Sequence, residues 1–254
     1  MFTDEQLEKL EEEEHEHSVE EFALLVLLLS ELFDDLEKEL SLFYQKYGKD
    51  GVVTYQQARK RISEKDKRKR QVALFLLIDE LFEKYFDNFE LNFKSNLQYI
   101  VEKEMSFFDT KLDLEDVLST PWGEDNLTWN ERLLAYRNKW VTVISNDLKR
   151  SFLKRSNFQD VIDSLDDRFK SMEKILWKLY VSESTATNSI GRKKIFKEMG
   201  VSKYRFYTRE DERTCEQCGS LHGLVFPMSA FEIGISASPI HPHCRCWEVP
   251  IIDG

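Results

Sequence analysis

The sequence predicts a mainly α protein with a small, turn-rich α+β module at its C-terminal end. Three observations carry this. Apolar residues recur at three- and four-residue spacing over most of the first two hundred positions, the period of a helical face. The nine glycines and five prolines are few for 254 residues and gather in the last third. All four cysteines lie between positions 215 and 246.

The elements follow in order. Residues 3–47 read as one helix, with Phe22, Leu25, Val26, Leu29, Leu32, Phe33, Leu36, Leu40 and Phe43 on its apolar face. Gly48 ends it. The run 22–29 is apolar all round, which predicts burial on more than one side. It is too short to span a bilayer, which takes about 20 apolar residues, and no membrane partner is expected. The acidic N-terminus lacks the basic region of a signal peptide.

A basic stretch from Arg59 to Arg70 (RKRISEKDKRKR) follows and leads into another long apolar-faced helix or pair of helices ending near Met105. Its bland reading is a solvated helix end, and its functional reading is a contact with DNA or an acidic partner. No aromatic interleaves the basic residues, so a stacking platform for single strands is not expected. The net charge of −11 argues against broad wrapping of DNA.

Thr120-Pro121-Trp122-Gly123 marks a break, which divides a helical region 1–120 from a helical region 121–200. Thr128 and Glu131 form a capping box ahead of a helix through residue 154. A shorter helix is expected near Asn157, and another from about Lys170 to Met199, closed by Gly200. Beyond it, 201–254 reads as a separate Cys/His-rich module. Lys203 to Thr208 alternates as a strand would, with further short strands around Leu224 to Phe226 and Trp247 to Ile251. So few apolar residues need a staple.

The cysteines supply a candidate. Cys215 and Cys218 form a C-x2-C knuckle, and Cys244 and Cys246 a C-x-C pair preceded by His241 and His243. Soft thiolate and imidazole donors in two clusters suit a tetrahedral structural zinc. The first ligand choice is Cys215, Cys218, Cys244 and Cys246, and the second replaces one of the last pair with His241. Reduced thiols and a disulfide are the non-metal alternatives, and a reducing cytoplasm fits the crowding of the cysteines. A catalytic zinc is not expected, because the deaminase order H-x-E…P-C-x-x-C is absent. No nucleophile–base set or phosphate loop stands out. His222 and His243 leave a metal-dependent nuclease as the alternative.

The order Asp211, Arg213, Thr214, Cys215, Cys218, Leu221, Gly223, Phe226, Pro239, His241, Pro242, Cys244, Arg245, Cys246 resembles the C-terminal domain of the phage Mu F-like minor head proteins, also called phage head morphogenesis proteins. The stretches TWNERLLAYRNKW and VSESTATNSIGRKKIFKEMGVSKYRFYT extend the resemblance over about residues 126–250. It implies a structural minor capsid protein of a tailed phage or prophage rather than an enzyme. Such a protein is made in the host cytoplasm and resides in the virion, in the head or at the portal vertex. It touches portal, capsid or scaffold proteins and aids DNA packaging or delivery. The alternative, a phage-borne toxin or nuclease, rests on fusions seen in the same family.

Overall fold

In a computed structural model, residues 3–48, 51–53 and 67–252 are described, with side chains of the second helix described from Leu76. The expected Arg59 to Arg70 contact lies outside the described residues up to position 66, and outside the described side chains for the remainder. The elements are α1 (Asp4–Tyr47), α2 (Lys67–Phe107), α3 (Leu114–Leu118), α4 (Trp129–Lys154), α5 (Phe158–Glu198), β1 (Lys203–Tyr207), α6 (Glu216–Leu221), β2 (Val225–Pro227) and β3 (Trp247–Ile251). The protein is mainly α, with one small sheet, as the apolar spacing predicts.

Two expectations from the sequence need correction. The helices expected either side of Lys170 are one, α5. Val161, Ile162, Leu165, Phe169, Met172 and Leu176 are all buried, so the three-four stripe crosses that point without interruption. The apolar run 22–29 is buried on one side, not several. Phe22, Leu25 and Leu29 are enclosed, while Leu24 and Leu27 are 50% and 61% exposed.

The chain forms two compact units. Unit 2 comprises Leu24–Leu91 and Leu133–Ile175; where described it is helical apart from short links, in which Val52 and Asn157 form an antiparallel bridge. Leu25, Leu29, Leu32, Leu36 and Leu40 line its core on α1. Phe33 meets Phe169 edge-on at 5.0 Å, and Tyr44 meets Phe152 at 6.0 Å. Arg137 ties α4 to α2 through Asp79 at 2.8 Å and Glu83 at 2.6 Å. Asp35 accepts from both Lys84 and Tyr85.

Unit 1 comprises Met1–Ala23, Asn92–Arg132 and Leu176–Gly254. The boundaries read from the sequence at 120/121 and 200/201 both fall inside it. The Pro121-Trp122-Gly123 break is an anchored turn: Trp122 Nε1 donates to Glu183 at 2.8 Å, and Arg132 stacks over the Trp122 ring while also bonding Glu183. The capping box closes as Thr128 N–H donates to Glu131 at 2.8 Å. Gly200, at φ +70°, ends α5 in a Schellman turn, in which Val201 N–H reaches the Phe196 carbonyl at 2.8 Å.

The sheet has order β2-β1-β3, antiparallel throughout, with Tyr204 opposite Phe226 and Pro250. Pro250 is tolerated because β3 is an edge strand. β1 turns Tyr204 and Phe206 inward. Tyr204 joins Leu7, Phe108, Phe196, Phe231 and Trp247 in one cluster, and Phe206 joins the cysteines in another.

Candidate metal centre

The first knuckle is built on a turn running into a helix. Asp211 Oδ1 accepts from Arg213 N–H at 3.0 Å, and the Asp211 carbonyl accepts from Thr214 N–H at 2.9 Å. This turn delivers Cys215 to the N-cap of α6, where its sulfur accepts from Cys218 N–H at 3.4 Å. One helical turn then carries Cys218 into the core. The spacing C-x2-C thus follows from a capped helix start.

The second knuckle is a tight turn, with Cys244 N–H donating to the His241 carbonyl at 3.2 Å. His243 takes φ +65°, which carries the chain around the turn. This knuckle is seated on α5: Ser182 Oγ accepts from His243 N–H at 2.8 Å, and Thr185 Oγ1 donates to the Cys244 carbonyl at 2.9 Å. His243 itself packs edge-on against Trp177.

The two knuckles converge. Cys215, Cys218 and His241 form one group, and Cys218, Cys244 and Cys246 another, with donor atoms within 4.8 Å of one another in each. Cys218 belongs to both. All five residues predicted from the sequence are therefore brought together around its sulfur. His241 Nε2 lies 3.1 Å from Cys215 Sγ and 3.2 Å from Cys218 Sγ, and Cys218 Sγ lies 3.7 Å from Cys244 Sγ. None of the four cysteines is disulfide-bonded.

The donor set fits a soft metal ion. Metal–sulfur bonds of about 2.3 Å in a tetrahedron place two sulfurs about 3.8 Å apart, close to the Cys218–Cys244 separation. His241 Nδ1 is 2.9 Å from the Pro242 carbonyl, which fixes the proton there and leaves Nε2 as a lone-pair donor. Charge gathers on the outer thiols. The Cys218 backbone N–H lowers Cys215, and hydrogen bonds from Cys218 and Cys246 lower Cys244 to about 2. Burial alone would lower His241, but the Pro242 carbonyl and the Cys244 and Cys215 sulfurs raise it. The cluster can hold a metal ion.

Both knuckles fall within a stretch of chain that matches a known family. The family described as Phage Mu protein F like protein matches residues 142–249. That region is phage Mu F-like. The match covers the second half of α4, all of α5, β1 and β2, both knuckles and the start of β3. No curated protein and no solved structure matches the chain.

His222 and His243 do not form a pair. His222 sits beside Thr208 and Tyr207, while His243 lies on Trp177. Among the described residues neither joins a metal-binding group. Asp211, besides ordering its own turn, grips Arg245 of the second knuckle at 2.7 Å.

Sequence reasoning missed the seat of the module. From Tyr180 to Arg192, α5 is enclosed almost all round although the stretch VSESTATNS is polar. Its polarity is matched by partners: Ser184 Oγ accepts from Asn96, Asn188 donates to Glu14 and Glu104, and Ser189 donates to Glu248. Arg192, with no exposed surface, binds Glu104 at 2.6 Å and the Glu248 carbonyl at 3.0 Å. The signal was a run of small hydroxyl and amide residues inside a helix, where only close packing or hydrogen bonding gives them a use.

Proposed function

We propose that the protein is a structural minor capsid protein of a phage or prophage, acting in head assembly at or near the portal vertex. Its C-terminal module is held by one zinc ion. The observation that carries this reading is the convergence of Cys215, Cys218, His241, Cys244 and Cys246, as two donor triads sharing Cys218, inside the phage Mu F-like region. A structural site needs four protein ligands and no open position. The donors here are sulfur-rich, partly to fully buried and packed against Phe206 and Ile240, which suits a staple rather than a reaction centre. In this reading the protein is not an enzyme. The partners are portal, capsid or scaffold proteins of the same particle, and the location is the virion. Among the described residues no helix is long and apolar enough to cross a membrane.

The test is elemental analysis of the purified chain together with its location in particles. About one zinc per chain, with a few copies retained in heads, supports the proposal. A metal-free chain that melts identically with and without chelator removes the staple. Absence from assembled heads removes the assembly role.

A further inference from the structure

A second donor cluster, without sulfur, lies elsewhere in unit 1. Glu11 and Glu14 of α1 and Glu104 of α2 bring one carboxylate oxygen each within 4.8 Å of the others. Glu104 is fully buried and Glu14 is 4% exposed. Glu14 Oε2 accepts from Asn188 at 2.7 Å, but Oε1 is cut off from solvent with no hydrogen-bond partner. Glu11 Oε1, by contrast, is ion-paired with Arg192 Nη2 at 2.7 Å. An ionised Glu14 oxygen left unpartnered costs several kcal/mol unless something positive meets it.

The charges in this network do not balance. Glu11, Glu14, Glu104 and Glu248 face Arg192, which is paired to Glu104 and Glu11. Arg209 adds one further positive charge, donating to the Glu11 carbonyl at 3.2 Å. Arg245 is engaged by Asp211. With all four ionised, four carboxylates against two guanidiniums leave two uncompensated negative charges. Burial accordingly pushes Glu11 and Glu248 up to about 7 and Glu14 well above its ordinary value. A bound cation would relieve the same excess. A cavity of about 40 Å³ is lined by Glu11, Glu14 and Asn188, with Arg209 and Arg245 also in its wall; Glu104 does not line it. It leaves room for water beside Glu11 and Glu14, each water needing at least about 10–15 Å³.

We propose that Glu11, Glu14 and Glu104 form a cation site for one hard divalent ion of the Ca²⁺, Mn²⁺ or Mg²⁺ class. The ligand chemistry is carboxylate oxygen, which such ions prefer and which zinc-selective thiolates do not offer. Oxygens bound at about 2.3–2.6 Å stand at most about 5.2 Å apart, which accommodates the observed spread. Each carboxylate has about four lone-pair positions, so Glu104 can serve Arg192 and the ion together. The ion joins α1 to α2 and, through Asn188 and Arg192, to α5. This site stands independently of the thiolate centre.

The test is Mn²⁺ titration of the full chain at neutral pH, followed by electron paramagnetic resonance, with zinc content measured in parallel. One Mn²⁺ per chain is expected in the 10⁻⁷ to 10⁻³ M range, on the order of known carboxylate sites, with Ca²⁺ or Mg²⁺ competing. Glu14→Gln should weaken it at least about tenfold, removing one charged ligand, and leave zinc unchanged. Glu8→Gln, on the exposed side of α1, should leave it intact. No saturable Mn²⁺ binding by the wild type overturns the proposal and assigns the excess charge to bound protons. Equal loss from Glu8→Gln and Glu14→Gln overturns it as surface binding. If Glu14→Gln does not fold, the wild-type titration decides alone.

Discussion

Arg245, the residue between Cys244 and Cys246, reaches back 2.7 Å to Asp211, which opens the turn before Cys215. One carboxylate thereby organises the first knuckle and holds the second against it, without using a metal ligand. The latch is half open to water, with Asp211 41% and Arg245 14% exposed. Asp211→Asn should therefore cost only about 0.2–1 kcal/mol in thermal or denaturant unfolding. It should also speed loss of metal to a chelator, because the knuckles part more readily.

The latch has a defined pH window. The Arg245 guanidinium, with the Arg213 N–H, holds Asp211 below its usual 3.8. A depressed carboxylate stabilises the fold above its unfolded pKa and loses that contribution as pH falls through the folded value. The gap in melting temperature between wild type and Asp211→Asn should persist from neutral pH down to about pH 4 and close below it.

The ligand set separates by mutation. His241 Nε2 contacts both sulfurs of the first knuckle, and Cys218 contacts Cys244. Cys218→Ser and His241→Ala should each lose most bound zinc, measured by elemental analysis, with destabilisation of the C-terminal module. Cys246→Ser should retain nearly one zinc per chain. Full retention by His241→Ala with loss by Cys246→Ser would make Cys246 the fourth ligand.

Much of this was legible in the sequence, for local reasons. The three strands, the Gly200 stop and the Thr128–Glu131 box each rest on residues a few positions apart. The knuckles were legible because cysteine spacing encodes a turn geometry. What could not be read depended on distant residues meeting. Arg192 looks like one more charged residue in GRKK, yet it is wholly enclosed by Glu104 and Glu11, far off in sequence. Leu24 and Leu27 look as apolar as Leu25, and only packing decides which of them is covered.

That last contrast gives a direct stability test. Leu25 is fully buried and Leu27 is 61% exposed, two positions apart in the same apolar run. Leu25→Ala should cost about 2–5 kcal/mol by cavity formation. Leu27→Ala should fall within about 0.5 kcal/mol of wild type. Denaturant midpoints of the two variants check this, and equal costs would place Leu27 in a buried interface.

Glu248 predicts a pH dependence of opposite sign to that of Asp211. It lies fully buried on β3, opposite Phe206, with Oε1 accepting from Ser238 N–H at 2.6 Å and Oε2 from Ser189 at 2.9 Å. Burial pushes its pKa from 4.5 up to about 7, against the Ser238 N–H and Arg192. With the folded value above the unfolded one, the unfolded chain gives up its proton first as pH rises. The associated stability is fully present below about pH 4.5 and is lost by about pH 7, a few kcal/mol at about 1.4 kcal/mol per unit. Glu248→Gln keeps the shape, and Ser189 can turn its hydroxyl to accept from the amide. The variant should therefore gain stability relative to wild type as pH is raised from 5 to 8. Melting curves of both proteins across that range measure it, and a constant difference would mean that Glu248 stays ionised throughout.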